Sequence, residues 1–246
     1  MQDTFAHTPR EDIFQVVKAI FFFTCIVELV AACLLCLLWL DEFAFPRALY
    51  CAIFHSISAF CNAGFSLFPE SFVEYRGDVA LNAVVCSLIV FGGIGFPVVY
   101  EAGLRLLGSK RGRKVSVQLK VVVAMTLILI VAGMVVLLWS EQNHALKEYT
   151  HGDQLLVVLF QSITCRTAGF NTVDISSLRN ATLALMIFLM FIGASPGSCG
   201  GGVKTTTLGV LGAFTWSRLR RRFRVNMYRK SIPRETVTKS ISLVLL

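Results

Sequence analysis

Apolar residues in this chain come in long unbroken runs between short polar stretches, and the run lengths fall into two classes. Residues 13–40 form a run of 28, about 42 Å at the helical rise, with Lys18 near one end and Glu28 the one acid inside. Residues 79–107 and 119–139 also exceed the ~20 residues that a bilayer crossing needs. Residues 181–192 supply only 12 before a glycine cluster, and the pattern resumes over 203–216, which predicts a crossing broken in its middle. Two further runs, 49–60 and 154–165, are too short to cross and predict re-entrant helices. The order is span, re-entrant helix, span, twice over.

The two re-entrant segments repeat each other: residues 54–65 read FHSISAFCNAGF and residues 160–170 read FQSITCRTAGF, with Gly64 and Gly169 lying 105 positions apart. A hydroxyl-bearing half-helix ending in a single glycine suits backbone carbonyls that must face a cation. One copy alone would read as a helix C-cap; two copies in matching context favour a pore. Composition agrees, since 55% apolar and 15% charged residues exclude a soluble domain. Residues 101–120 carry six Lys or Arg against Glu101 alone, and 216–234 carry eight against no acid, so these stretches are predicted to be cytoplasmic. Acids gather in the loops around the Ala-Gly-Phe turns (Asp41, Glu42, Glu70, Glu74 and Asp78, then Glu141, Glu148, Asp153 and Asp174), where they would concentrate cations at an outer mouth. Positive-inside topology accounts for the net charge of +8 without nucleic-acid binding. No cleavable leader is expected, because residues 1–12 are polar and the first apolar run is too long for one.

Three strings, FHSISAFCNAGFSL, FQSITCRTAGFNTVDI and FIGASPGSCGGGVKTTT, resemble in order the second filter, third filter and broken third-repeat helix of the Trk/Ktr/HKT potassium transporter superfamily, most closely the bacterial Ktr membrane subunit. The resemblance implies an all-α membrane protein of membrane-pore-membrane units with re-entrant pore helices, two of an expected four repeats. It places a second-type repeat at 1–107, a basic cytoplasmic linker at 108–118 and a third-type repeat with a broken second helix at 119–217. A second basic linker at 218–232 and the start of a truncated helix at 233–246 follow. It implies potassium uptake, assisted by sodium as in the Ktr group, at the cell membrane with filter loops outside. A sodium-permeable member and a non-conducting fragment are the alternatives. Implied partners are membrane lipid, a second copy of the full protein, and a cytoplasmic nucleotide-binding regulatory ring meeting the basic segments 110–120 and 218–230. No cofactor beyond the transported ion is expected, and no nucleic acid.

A dehydrated potassium ion needs several oxygens at once, which extended backbone free of inward side chains supplies. The oxygens expected to face it are the carbonyls of Asn62 and Ala63 before Gly64, and of Thr167 and Ala168 before Gly169, with K+ the one metal held. One glycine per filter, against two in potassium channels, predicts looser selectivity. Arg166 immediately precedes the second filter; a structural pair with an acid such as Asp174 is preferred over an electrostatic trim of the pore. His55 reads as a packed pore-helix residue, not a metal ligand.

Residues 193–204, GASPGSCGGGVK, interrupt an apolar helix with Gly193, Gly197, Gly200, Gly201, Gly202 and a proline before Lys204. Irregular backbone at membrane depth survives only against protein or a water-filled cavity, and the resemblance assigns this loop to a gate beneath the filter. A packing kink is the plainer alternative. Gly92, Gly93, Gly95 and Pro97 mark a milder break, where a kink suffices. The same glycines approach a phosphate loop, but Val203 separates Gly202 from Lys204 and no strand is predicted before them. No nucleophile elbow or paired His and acid cluster is present, so no enzyme is expected. The eight cysteines are scattered within apolar segments, and Cys33 and Cys36, spaced as CxxC, read as ordinary buried small residues.

Overall fold

The computed structural model describes residues 10–106, 115–221, 225–228 and 230–245. Most of the basic segment around Lys110, Arg111, Arg113 and Lys114 therefore lies outside the described residues, as do parts of the second basic linker. Nine α-helices and a short 3-10 helix (Ile175–Ser177) occur among the described residues. The first unit comprises α1 (Arg10–Trp39), α2 (Phe45–Phe60), α3 (Val79–Ile94) and α4 (Phe96–Leu106). The second comprises α5 (Val117–Glu141), α6 (His151–Thr164), α7 (Asn180–Phe191) and α8 (Thr205–Leu219). A two-residue-strand hairpin, β1 (Asn226–Met227) with β2 (Lys230–Ser231), leads into α9 (Arg234–Leu245), a small antiparallel addition that the apolar pattern did not signal.

Two of these helices are long and apolar enough to cross a membrane, and the α3–α4 pair makes a third if its bend is counted within one span. The outward face of α1 stays greasy, with Phe14, Phe21, Leu29 and Leu37 each more than half exposed, as lipid contact demands. The two short helices α2 and α6 dock on the long helices by the same bond: Ser56 donates to the Glu28 carbonyl of α1 and Ser162 to the Ile130 carbonyl of α5, each at 2.7 Å. Pro46 opens α2, where its missing N–H costs nothing, while Thr150 caps α6 through the Asp153 amide.

An aromatic cluster joins the two units. Phe72 is fully buried, 5.1 Å from the Phe170 ring and 6.2 Å from the Phe160 ring. Its amide donates to the Asn171 carbonyl at 2.9 Å, and the Asn171 amide donates to Ser71 Oγ at 3.2 Å. Burying such a ring contributes about 1.5–3 kcal/mol, which fixes the loops after the two Ala-Gly-Phe turns against each other.

The run 79–107 departs from expectation. It is no single crossing with a mild kink: it breaks at Gly95, φ +89, and α4 leaves α3 at 103°. Pro97 in the first turn of α4 and the left-handed glycine before it make this a full break. Beyond it, Glu101 accepts from the Ser116 amide at 3.0 Å, bonds the Ser116 hydroxyl and pairs with Arg105 at 2.9 Å, clasping α4 to the start of α5.

Candidate functional site

Helices α2 and α6 each end in a loop of the same construction. Ser58 Oγ donates to the Phe65 carbonyl at 2.8 Å in the first, and Thr164 Oγ1 to the Phe170 carbonyl at 2.8 Å in the second. These hydroxyls hold each Ala-Gly-Phe turn against its own helix. Both loops alternate in backbone hand: Asn62 (φ 51) and Gly64 (φ 71) match Thr167 (φ 74) and Gly169 (φ 92). A β-branched threonine at positive φ is strained, by about 1–3 kcal/mol. The first loop has one extra residue, so Ala63 N bonds Ser58 O where Ala168 N bonds Thr164 O.

The two loops meet at their glycines. A Cβ built on Gly64 would strike the Ala168 carbonyl oxygen and lie 2.7 Å from Gly169 Cα, while one on Gly169 would lie 3.2 Å from Gly64 Cα and 3.9 Å from the Ala63 oxygen. The carbonyls of Asn62, Ala63, Thr167 and Ala168 accept no hydrogen bond among the described residues. Four backbone oxygens thus remain unclaimed beside two helix C-termini, whose partial negative charge favours a cation there.

The segment 193–204 folds back on itself beneath these turns. Ala194 N bonds Gly201 O, Ser195 Oγ bonds Thr205 Oγ1 at 2.8 Å, and Lys204 Nζ donates to Gly200 O at 2.8 Å. Gly200 touches both Ala-Gly-Phe loops: a Cβ there would lie 2.7 Å from Thr167 Oγ1 and 3.3 Å from the Asn62 side-chain amide. With its nitrogen facing them, that amide donates to Ala59 O and Ile89 O at 3.2 Å each. Gly193 packs directly against Gly201 and Gly202, whereas Gly201 itself has nothing within 4 Å of a built Cβ. The α3–α4 break is part of the same assembly. Ser195 N donates to Gly93 O at 3.0 Å, Cys199 N to Gly92 O at 3.1 Å, and Phe96 N to Gly197 O at 3.0 Å. The break dismissed from sequence as a kink therefore seats the glycine loop. Before that loop stands α7, a helix, so the phosphate-loop arrangement is not met.

Arg166 corrects a second expectation. It is 6% exposed and makes no ion pair among the described residues, and its Nε has no hydrogen-bond partner there. Asp174, the acid expected to meet it, is committed elsewhere: it accepts from Ser176 N at 2.9 Å and Ser176 Oγ at 2.8 Å, bonds that hold its carboxyl below the usual range. His55 is packed as expected. Leu67 N donates to Nε2 at 3.2 Å, which leaves Nδ1–H to donate to Cys51 O at 2.8 Å and fixes the neutral tautomer. Its ring stacks on Phe68 at 4.8 Å. The matching Gln161 is buried with neither amide atom bonded.

Glu141 carries a role that sequence reasoning missed. Placed among the outer acids, it is instead 1% exposed, accepts from Arg179 N at 3.0 Å and from the Thr182 hydroxyl, and so caps α7. Its position at the end of an apolar helix gave no signal of this, because Arg179 and Thr182 lie about 40 residues away, while its local partners are His144 at 3.3 Å and the Ala145 amide at 3.4 Å. Among the described residues no cluster of three or more metal-ligating side chains occurs. All eight cysteines are free, and Cys33, read as buried, is exposed on α1.

The TrkH family, described as "Cation transport protein", matches residues 7–245. The chain belongs to this family. Membership places it among the multi-pass membrane proteins of a transport family and not among enzymes. It is 34% identical over 235 residues to the Ktr system potassium uptake protein B of Vibrio alginolyticus, covering 94% of this chain and 51% of that one. It is 33% identical to the potassium/sodium uptake protein NtpJ of Enterococcus hirae, covering 90% and 48%. The crystal structure of the potassium transporter TrkH from Vibrio parahaemolyticus superposes with a TM-score of 0.72 at 22% identity, over 96% of this chain and 49% of that one, a likeness of fold. The chain spans about half the length of the relatives it matches.

Proposed function

We propose that this chain supplies two of four filter segments of a potassium-uptake pore, its units 1–107 and 119–217 standing as the second and third repeats. The observation that carries the reading is the matched pair of loops, each leaving two carbonyls unclaimed before a left-handed glycine. Asn62, Ala63, Thr167 and Ala168 give the ion its oxygens, Gly64 and Gly169 the backbone geometry, and Gly193 to Lys204 the gate below. Arg166, without an acidic partner here, acts as a fixed positive charge that limits cation occupancy. Sodium assistance fits the relative named for potassium and sodium uptake. The filter loops face outward and the basic loops the cytoplasm. There the segments 110–120 and 218–230 meet a nucleotide-binding regulatory ring under a homodimer of the whole protein.

Growth of a potassium-uptake-deficient bacterium at low potassium tests this. The chain alone should not rescue, because two filters surround only half of an ion. A chimera in which it replaces the matched half of the Vibrio alginolyticus protein should rescue. A well-expressed, correctly inserted chimera that conducts no potassium would overturn the reading, as would rescue by a monomer of this chain.

A further inference from the structure

Two of the eight cysteines lie where the filter and the glycine loop meet. Cys61 caps the first pore helix, one residue before Asn62, and Cys199 precedes Gly200. Gly92 stands between them: the Phe60 backbone packs against its Cα so closely that a built Cβ would lie 2.9 Å from Phe60 C, and its carbonyl accepts the Cys199 amide at 3.1 Å. One residue further on, a Cβ on Gly200 would lie 3.3 Å from the Asn62 amide. The stretches 60–62 and 199–200 therefore run side by side, which sets Cys61 and Cys199 next to each other. Both cysteines are exposed on this chain, whereas Cys36, Cys51, Cys86 and Cys165 are buried.

We propose that Cys61 and Cys199 form a redox pair whose disulfide ties the first filter loop to the glycine loop. Hydrogen peroxide is the oxidant, small and neutral enough to reach membrane depth. One thiol, Cys199 Sγ, takes an oxygen from peroxide to give a sulfenic acid and one water. Cys61 Sγ then displaces the hydroxyl, forming the S–S bond and releasing a second water. The two thiol protons leave in the two waters, the sulfur pair loses two electrons and the peroxide gains them. A bridge here fastens two segments that must separate if the loop is to leave the path of the ion, so oxidation holds the pore closed. That consequence rests on the gate reading above; the formation of the bridge does not.

The test has two arms. In the first, membranes holding this chain are treated with hydrogen peroxide, free thiols are alkylated, and the digest is analysed by mass spectrometry. The expected result is a Cys61–Cys199 linked peptide as the main oxidised species, reversed by dithiothreitol, with Cys25 and Cys33 still alkylated. Full alkylation of Cys61 and Cys199, or their separate oxidation to sulfinic acids without a link, would overturn the pair. This arm uses the unsubstituted chain, so no variant has to fold. In the second arm, peroxide should lower potassium flux through the chimera at least about fivefold, and dithiothreitol or Cys199→Ser should remove the effect. A bridge that forms with flux unchanged leaves the pair standing and sinks the gate.

Discussion

Gly64 and Gly169 touch backbone to backbone, each in the left-handed region, and neither can take a side chain without moving the other's loop. The consequence is unequal. A Cβ on Gly64 collides with the Ala168 carbonyl, while one on Gly169 has 3.2 Å to the nearest Cα. In the four-repeat chimera, Gly64→Ser and Gly169→Ser should each shift the potassium-to-sodium uptake ratio, Gly64→Ser the more. Strain of about 1–3 kcal/mol at positive φ is enough for a roughly tenfold change if it falls on one ion's binding geometry. Parallel uptake assays with normal protein yield and an unchanged ratio in both variants would remove these loops from the selectivity step.

Tyr75 gives a pH dependence whose sign follows from its surroundings. Burial, then the bond its hydroxyl donates to Glu42 at 2.6 Å, push the phenol well above its ordinary value. The folded state holds the proton more tightly than the unfolded chain, so the stabilisation is complete below the unfolded value of about 10 and is lost as pH rises above it. Tyr75→Phe should cost about 1–3 kcal/mol at neutral pH and flatten the alkaline limb of stability. Thermal melting in detergent from neutral pH upward checks both; parallel limbs for parent and variant would remove Tyr75 as the cause.

How far the sequence carried depended on the distance between partners. The long helices over 13–40 and 119–139, the two short helices and the paired Ala-Gly-Phe turns were legible because they are local, set by run length and by a motif that occurs twice. The docking of Ser56 and Ser162 on the long helices extends the same repetition. What escaped was contact between distant segments. Gly95 looked like a kink until Gly197 and Pro196 were found packed against it. Glu141 looked like an outer charge until Arg179 and Thr182 were found bonded to it. The expected Arg166–Asp174 pair failed for the opposite reason: a local partner, Ser176, had already claimed the carboxylate.

That failure makes Arg166 a sharper test than the sequence offered. A buried guanidinium next to the proposed second filter, with no carboxylate in range among the described residues, would repel a cation bound there. Arg166→Gln in the chimera should raise apparent potassium affinity about three- to tenfold, seen as a lower KM, with maximal uptake equal or reduced because a more tightly held ion leaves more slowly. A KM unchanged or raised at normal expression would show that the charge is neutralised in the whole protein.

The glycine loop allows a comparison between neighbours that differ only in what surrounds them. A Cβ on Gly200 would strike Ala194 Cβ of its own loop and lie 2.7 Å from Thr167 Oγ1 and 3.3 Å from the Asn62 side-chain amide, so Gly200→Ala must distort the loop and its contact with the Ala-Gly-Phe turns, whereas Gly201→Ala adds its methyl to open space. If the loop only lets helices pack, Gly200→Ala lowers folded yield and leaves flux per molecule alone. If it blocks the path, flux per folded molecule should rise in Gly200→Ala, by about threefold or more for each ~0.7 kcal/mol by which closure is weakened. Gly201→Ala should match the parent in yield and flux. Lys204→Ala provides the charge-based counterpart, since it removes the Lys204 Nζ bond to Gly200 O and with it a cation standing beside the glycine loop. A gate held by that bond leaks when it is lost, while a residue that merely restarts α8 is silent. Uptake normalised to detergent-extracted folded protein decides the matter: values at or below the parent in both Gly200→Ala and Lys204→Ala reject the gate and leave close packing as the role of these glycines.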